Sequence, residues 1–334
     1  MQKTALRYAK NDASVSLPQL RRYADGWLLD GEIRQHSQQT LATRKIITSK
    51  LIWFLEQKQH QDCGLMELRQ FLAYLTNGHK EPGGRFGNPA LTQPVRPRTV
   101  KDYHNHLRTF FRWLVEEGVI EVCPLDGIAA PISRADQVQP FGEKQIAAMI
   151  EAARKSRHPR RDEAVVMFLL DTGVRVSEIA SLCINDVDLT GKRAVVLGKG
   201  NKRRTVYFGR ATTKALWQYV NEDEREPDAP LFLSDRGETA GEPLTRWGVR
   251  QIIERIGVVA KVEAIRCSPH TFRHTFAVTF LRNGGNVFTL QQLLGHTSPN
   301  MTRKYVMLAQ ADIEKQHRQY SPVDGLRAGS KKAA

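Results

Sequence analysis

The chain has 334 residues, room for about two domains of ordinary size. Apolar residues make up 41% and charged residues 25%, which excludes wholesale disorder, and apolar runs such as Ala164–Leu170 are far short of the ~20 residues a membrane span needs. Its 50 basic residues against 35 acidic ones leave a net charge of +15, which asks for a polyanionic partner, nucleic acid first, because no basic amphipathic segment with a lipid anchor is present.

The first ten residues have no apolar core, so no signal peptide is expected. Cys63, Cys123, Cys183 and Cys267 are widely spaced with no CxxC pair. That spacing suggests neither a clustered zinc site nor a disulfide framework, and a reducing cytoplasm fits. From the N-terminus the pattern is helical. Apolar residues recur at helical spacing along Leu17–His36, Leu41–Gln57, Leu65–Leu75 and Thr99–Glu117, with Gly118 at a C-cap position. Between the last two, Gly78–Arg98 is too rich in Gly and Pro for helix and reads as a long surface loop. Its Lys80, Arg85, Arg96 and Arg98 suit contact with DNA. A polar stretch, Pro131–Pro140, ends this block.

The second block is mixed. Glu143–Ala153, Asp162–Asp171 and Val176–Leu182 read as helices. Two β-branched runs, Arg193–Gly198 and Arg203–Phe208, flank Lys199-Gly-Asn-Lys202 and predict a β-hairpin. Ala211–Asn221 and Thr245–Ala260 read as helices with a short strand, Leu231–Ser234, between them. Helix is expected from Pro269 to Gln319, then a small basic tail.

Four short motifs in this block carry chemistry: Thr172-Gly-Val-Arg-Val-Ser-Glu178, Gly198-Lys-Gly-Asn-Lys202, His270-Thr-Phe-Arg-His274, and Leu294-Gly-His296 with Tyr305 nine residues on. Two guanidiniums can each grip phosphate oxygens bidentately and offset the charge of a five-coordinate phosphorus without a metal. A tyrosine phenol can serve as covalent nucleophile when cations favour the phenolate, and a lysine can protonate a leaving alkoxide. No carboxylate cluster that would hold Mg²⁺ is evident in these motifs. His270 and His274 share the i, i+4 spacing of a zinc pair, but no glutamate follows His270 and no third ligand is evident.

In this order the motifs resemble the tyrosine recombinase (phage integrase) family, and the resemblance covers most of the chain. Position by position, its first arginine falls on Arg175, the supporting acid on Glu178, the hairpin lysine on Lys199, the His-x-x-Arg pair on His270 and Arg273, the second histidine on His296 and the nucleophile on Tyr305. Cys123 precedes Pro124 where the family usually has Asn, and the Gly78–Arg98 loop is unusually long. The resemblance implies a mainly α fold with a small β-hairpin or sheet, arranged as a two-domain DNA clamp. Its expected parts are a helical, SAM-like core-DNA-binding domain over 11–131, a linker over 132–140, a mixed α/β catalytic domain over 141–324 and a disordered tail over 325–334. It implies site-specific DNA recombination through a 3′-phosphotyrosyl intermediate and a Holliday junction, for integration or excision of a mobile element or for resolution. No cofactor or metal is expected. The expected partners are double-stranded DNA target sites and three further copies, a homotetramer on two sites, in the cytoplasm and away from membranes. Ala311–Gln319 is the helix assigned to docking on a neighbour. Two alternatives remain open: a type IB topoisomerase, sharing the chemistry but acting as a monomer, and a catalytically silent DNA-binding protein. The helix after Tyr305 argues against the first, and the complete basic set against the second.

Overall fold

The computed structural model describes residues 14–79, 83–132, 139–198, 202–235 and 239–295, together with Tyr305, His317, Ser321 and Val323. Contacts divide the chain into two compact units, Met1–Asp136 and Gln137–Ala334.

In the first unit, β1 (Val15–Ser16) pairs antiparallel with β2 (Asp62–Cys63) and ties the N-terminal end to the core. Ser16 starts α1 (Leu17–Ile33), and Ser37, accepting from the Thr40 N–H at 3.3 Å, starts α2 (Gln38–Gln57). Two more helices follow, α3 (Leu65–Thr76) and α4 (Pro97–Glu116). Proline at the first turn of α4 supplies a preset φ where no amide partner is needed. Leu20, Ala24 and Trp27 of α1 meet Leu107, Phe110 and Leu114 of α4, with the Trp27 and Phe110 rings 5.1 Å apart.

The loop before α4 departs from expectation in one respect. Arg85 is 8% exposed and donates through Nη1 to the Gln93 carbonyl at 2.6 Å, while the Phe86 ring packs on Trp53 and Tyr74. Arg85 thus braces the loop internally rather than facing a polyanion. Lys80 lies outside the described residues. The helix also begins at Pro97, inside the stretch expected to be loop.

The second unit is built around α6 (Pro159–Thr172). Ala164, Val165, Val166, Phe168 and Leu169 are all buried, so this helix is apolar nearly all round. Around it lie α5 (Glu143–Arg154), the single turn α7 (Val176–Ile179), α8 (Arg210–Val220), α9 (Arg246–Val259) and α10 (Pro269–Arg282). The final described helix is α11 (Val287–Leu294). The hairpin forms as β4 (Arg193–Leu197) and β5 (Arg203–Tyr207), with Val195 opposite Thr205 and Leu197 opposite Arg203. A short β3 (Val187–Asp188) extends it to an antiparallel sheet of order β3-β4-β5. Ala194, Val196 and Val206 point into the core, and their strand neighbours face out.

Leu231–Ser234 forms no strand; Leu233 makes an isolated bridge to Pro243. The helix expected from Pro269 onward is interrupted between Arg282 and Val287, where Gly284 takes φ +87°. Ala311–Gln319, apart from His317, and the tail lie outside the described residues. Among the described residues, no helix is long and apolar enough to cross a membrane.

Two left-handed glycines end helices that matter below: Gly173 (φ +60°) closes α6 and Gly295 (φ +62°) closes α11. A Cβ on Gly173 would come 2.5 Å from Cδ1 of Phe276. Gly173→Ala should therefore destabilise the protein, by about 1–2 kcal/mol for the left-handed backbone and about 1–3 kcal/mol for the clash. Urea unfolding of the two proteins measures the difference.

Candidate active site

The turn after α6 sets the site. Arg175 is the N-cap of α7, in extended conformation, and Glu178 sits three residues on. The Glu178 carboxylate reaches back to accept the Arg175 backbone N–H at 2.7 Å, as in a capping box. The same carboxylate accepts from Arg175 Nη1 at 2.8 Å. One short turn thereby fixes both the backbone and the side chain of Arg175. Glu178 itself is 0% exposed.

A third residue completes this arrangement, and the sequence reading passed over it. Arg204, on β5, grips Glu178 with a bidentate fork, Nη1 to Oε1 at 2.6 Å and Nη2 to Oε2 at 2.8 Å. A signal was present: Arg204 lies two residues from Val206, on the inward-facing side of a strand where a cation needs a buried partner.

Arg273 arrives from α10 and is 4% exposed. Its Nη1 donates to the Gly173 carbonyl at 2.8 Å and its Nη2 to the Leu294 carbonyl at 2.6 Å. Arg204 Nε donates to the Leu293 carbonyl at 2.8 Å, and Arg175 Nη2 to the Gly295 carbonyl at 3.2 Å. Three guanidiniums therefore cap three successive carbonyls at the end of α11. The geometry satisfies acceptors that a helix terminus leaves open, and it places cations at the negative end of the helix dipole.

Among the described residues, three guanidiniums gather near one carboxylate, so this group carries excess positive charge suited to an anion such as phosphate. Burial pushes the Arg273 guanidinium down to about 10, with Arg175 adding to the shift and Glu178 opposing it. For Glu178, burial favours the neutral acid, but the hydrogen bonds and charges of Arg204 and Arg175 overcome it and hold the carboxyl below its ordinary range.

Tyr305 is 1% exposed, packed with Ala277, Val278, Leu281, Leu290 and Leu294, its ring 5.1 Å from that of His274. Burial raises its phenol above the ordinary value, while Arg273 and Arg175 pull the other way. His270 is exposed at the start of α10, one turn before Arg273. Thus Arg175, Glu178, Arg273 and Tyr305 come together, with His270 on the same helix as Arg273. Lys199 and His296 lie outside the described residues. Each directly follows a described glycine beside the cluster. A Cβ on Gly198 would lie 3.6 Å from Glu178 Oε1, and one on Gly295 would lie 3.0 Å from Arg204 Cδ.

Because the folded-state pKa of Glu178 is depressed, its ion pairs stabilise the protein fully above the ordinary glutamate range. That contribution is lost as pH falls through the depressed value. Glu178→Gln should cost about 3–5 kcal/mol at neutral pH by leaving buried guanidinium charge unpaired. The gap from the parent protein should narrow on acidification below the glutamate range, measured by denaturant unfolding across pH.

The model of the Phage integrase family matches residues 140–312. Tyrosine recombinase XerC of Bacillus subtilis (strain 168) is 32% identical over 246 residues, covering 71% of this chain and 79% of that protein. Tyrosine recombinase XerD of Pseudomonas putida is 31% identical over 238 residues, covering 70% and 78%. Among solved structures, the XerH site-specific recombinase bound to a palindromic difH substrate has a TM-score of 0.66 at 19% identity, covering 91% of this chain and 84% of that one. A lambda integrase dimer bound to a COC′ core site has a TM-score of 0.65 at 18% identity, covering 91% and 80%. At those identities the structures speak for the fold, mostly helical with small antiparallel sheets. With a family model matching more than half of the chain, and relatives of nearly one-third identity aligned over most of their length, the chain belongs to the phage integrase family of tyrosine recombinases.

Proposed function

We propose that the chain recombines duplex DNA at specific sites by two successive phosphoryl transfers. Tyr305 Oη attacks a backbone phosphorus and the bond to the 5′-oxygen breaks, leaving a 3′-phosphotyrosyl link and a 5′-hydroxyl. A 5′-hydroxyl of a partner strand then attacks that link and releases the tyrosine. Exchange of one pair of strands makes a Holliday junction, and exchange of the second resolves it. The covalent link conserves the bond energy, so no nucleotide cofactor is consumed.

In this reading Arg175, Arg273 and His270 hold the non-bridging oxygens and stabilise the charge that grows on them. His296 hydrogen-bonds the same phosphate or Tyr305, and Lys199 protonates the leaving 5′-oxygen. The observation that supports it most is the convergence of Arg175, Arg273 and Tyr305, from three distant parts of the chain, around Leu294 and Gly295. Arg175 keeps 31% of its side chain exposed, so part of its guanidinium edge is open to a phosphate.

Tyr305 is buried, so its phenol has to leave the apolar cluster before it can reach DNA. Coupling that movement to assembly would keep a lone protomer from cutting. In a homotetramer on two sites, docking of Ala311–Gln319 on a neighbour would carry the Tyr305 segment with it. The net charge of +15 supplies the phosphate attraction, with a few base contacts choosing the site, and the reading puts the protein with the DNA in the cytoplasm.

Tyr305→Phe removes one oxygen and should abolish covalent protein–DNA adducts on a nicked suicide duplex while leaving DNA binding intact; a persisting adduct would remove Tyr305 from the role. Lys199→Ala should cleave an ordinary duplex poorly but regain cleavage where sulfur replaces the 5′-bridging oxygen, because a thiolate leaves without a proton. If only Lys202→Ala shows that recovery, the general acid is Lys202.

A further inference from the structure

We propose that Arg204 is a positioning residue for the phosphate clamp, holding Arg175 at the reach and angle that the reaction requires. This rests on the reading of Arg175 as a phosphate-binding group.

One buried carboxylate offers four acceptor directions. Glu178 Oε1 takes Arg175 Nη1 and Arg204 Nη1, and Oε2 takes the Arg175 backbone N–H and Arg204 Nη2. Arg204 therefore occupies both oxygens, and Arg175 is left one side-chain bond to the carboxylate. Its other terminal nitrogen goes to the Gly295 carbonyl. Without Arg204, the carboxylate has room for the Arg175 fork. A bidentate pair in a buried site is stronger than the single bond it would replace. Arg175 would then be drawn down onto Glu178 and away from the exposed side where a phosphate would arrive.

The position of Arg204 extends this role. Its Nε holds the Leu293 carbonyl, and a Cβ on either Gly198 or Gly295 would lie within 4 Å of its side chain. Those glycines precede Lys199 and His296. Arg204 therefore lies between the hairpin turn, the Arg175 turn and the end of α11, three segments that bear proposed site residues. With only 13% of its side chain exposed, it is set behind the clamp rather than on the DNA-facing side. Lysine could keep the charge but not the two-pronged bond to Glu178 and the third bond to Leu293.

The test measures single-turnover adduct formation by the full-length chain on a nicked duplex. The scissile phosphate is either an ordinary phosphodiester, a methylphosphonate that lacks one charged non-bridging oxygen, or a 5′-bridging phosphorothiolate. Arg204→Ala and Arg204→Lys should bind DNA nearly as the parent does yet form adduct about a hundredfold more slowly on the phosphodiester. The loss relative to the parent should shrink on the methylphosphonate, where less clamp is needed, and should persist on the phosphorothiolate. A residue that only supports the fold would lose equally on all three. Melting temperature identifies a variant that does not fold, and Arg204→Lys, retaining charge and bulk, then carries the comparison. Parent-like rates on the phosphodiester, an equal loss on all substrates, or recovery on the phosphorothiolate alone would overturn the inference. Arg175→Ala on the same substrates separates the two ideas. If Arg175→Ala recovers on the methylphosphonate and the Arg204 variants do not, only the role of Arg204 falls. If Arg175→Ala does not recover, the clamp reading falls and this inference with it.

Discussion

The rest of the candidate site hangs on one buried carboxylate. Among the described residues, Glu178 is the one acid set with the guanidiniums of Arg175, Arg204 and Arg273, and without it their mutual repulsion would push them apart. It also joins separate parts of the second unit, because its partners come from its own helix turn and from β5. Burying charge is expensive, and the cost is met here by saturating the carboxylate: both oxygens accept two hydrogen bonds each. Such a group is rigid. It holds a cation in place while leaving part of that cation open, which is what a site awaiting a phosphate needs.

The second constraint is the carbonyl end of α11. Leu293, Leu294 and Gly295 each offer an oxygen that the helix itself does not use, and each is taken by a different arginine. The left-handed glycine at position 295 ends the helix there, one residue before His296 in the sequence. The same device recurs at Gly173, whose carbonyl is held by Arg273. Two helix ends, each closed by a glycine, are thus clamped by one guanidinium. All three arginines are structural ligands of the backbone, and Arg175 also keeps part of its guanidinium open. This dual use ties the integrity of the site to the packing of α6, α10 and α11.

Much of the fold was legible in the chain itself. The hairpin announced itself through β-branched runs around Gly-Asn, and the helices through apolar residues at 3.6-residue spacing. Leu231–Ser234 misled because three apolar residues in a row look the same whether they pair in a full sheet or simply pass through a core; here Leu231 donates to the Leu182 carbonyl at 2.7 Å, and Phe232 and Ser234 pair with Leu244 and Glu242 about the single Leu233–Pro243 bridge, too little to make a strand. The two-residue strands β1 and β3 are too short to leave a periodic trace. Arg85 shows the limit of reading charge as surface: in a Gly- and Pro-rich loop a cation can be the only side chain long enough to satisfy the loop's own carbonyls.

What the sequence determined by itself was the chemical inventory and its order. The spacing of Arg175 and Glu178 is local, three residues on one turn, so their contact follows from helix geometry alone. Hydropathy patterning likewise decided a mainly helical chain with one clear hairpin. Only the tertiary structure decided which distant groups meet. Arg175 reaches a carbonyl 120 residues away, Arg273 one 100 residues away, and Arg204 a carboxylate 26 residues away. Nothing in the identity of an arginine says whether its partner is solvent, a phosphate or a buried acid. That is settled by burial and by the unpaired carbonyls of helix ends, which exist only once the helices have stopped and packed.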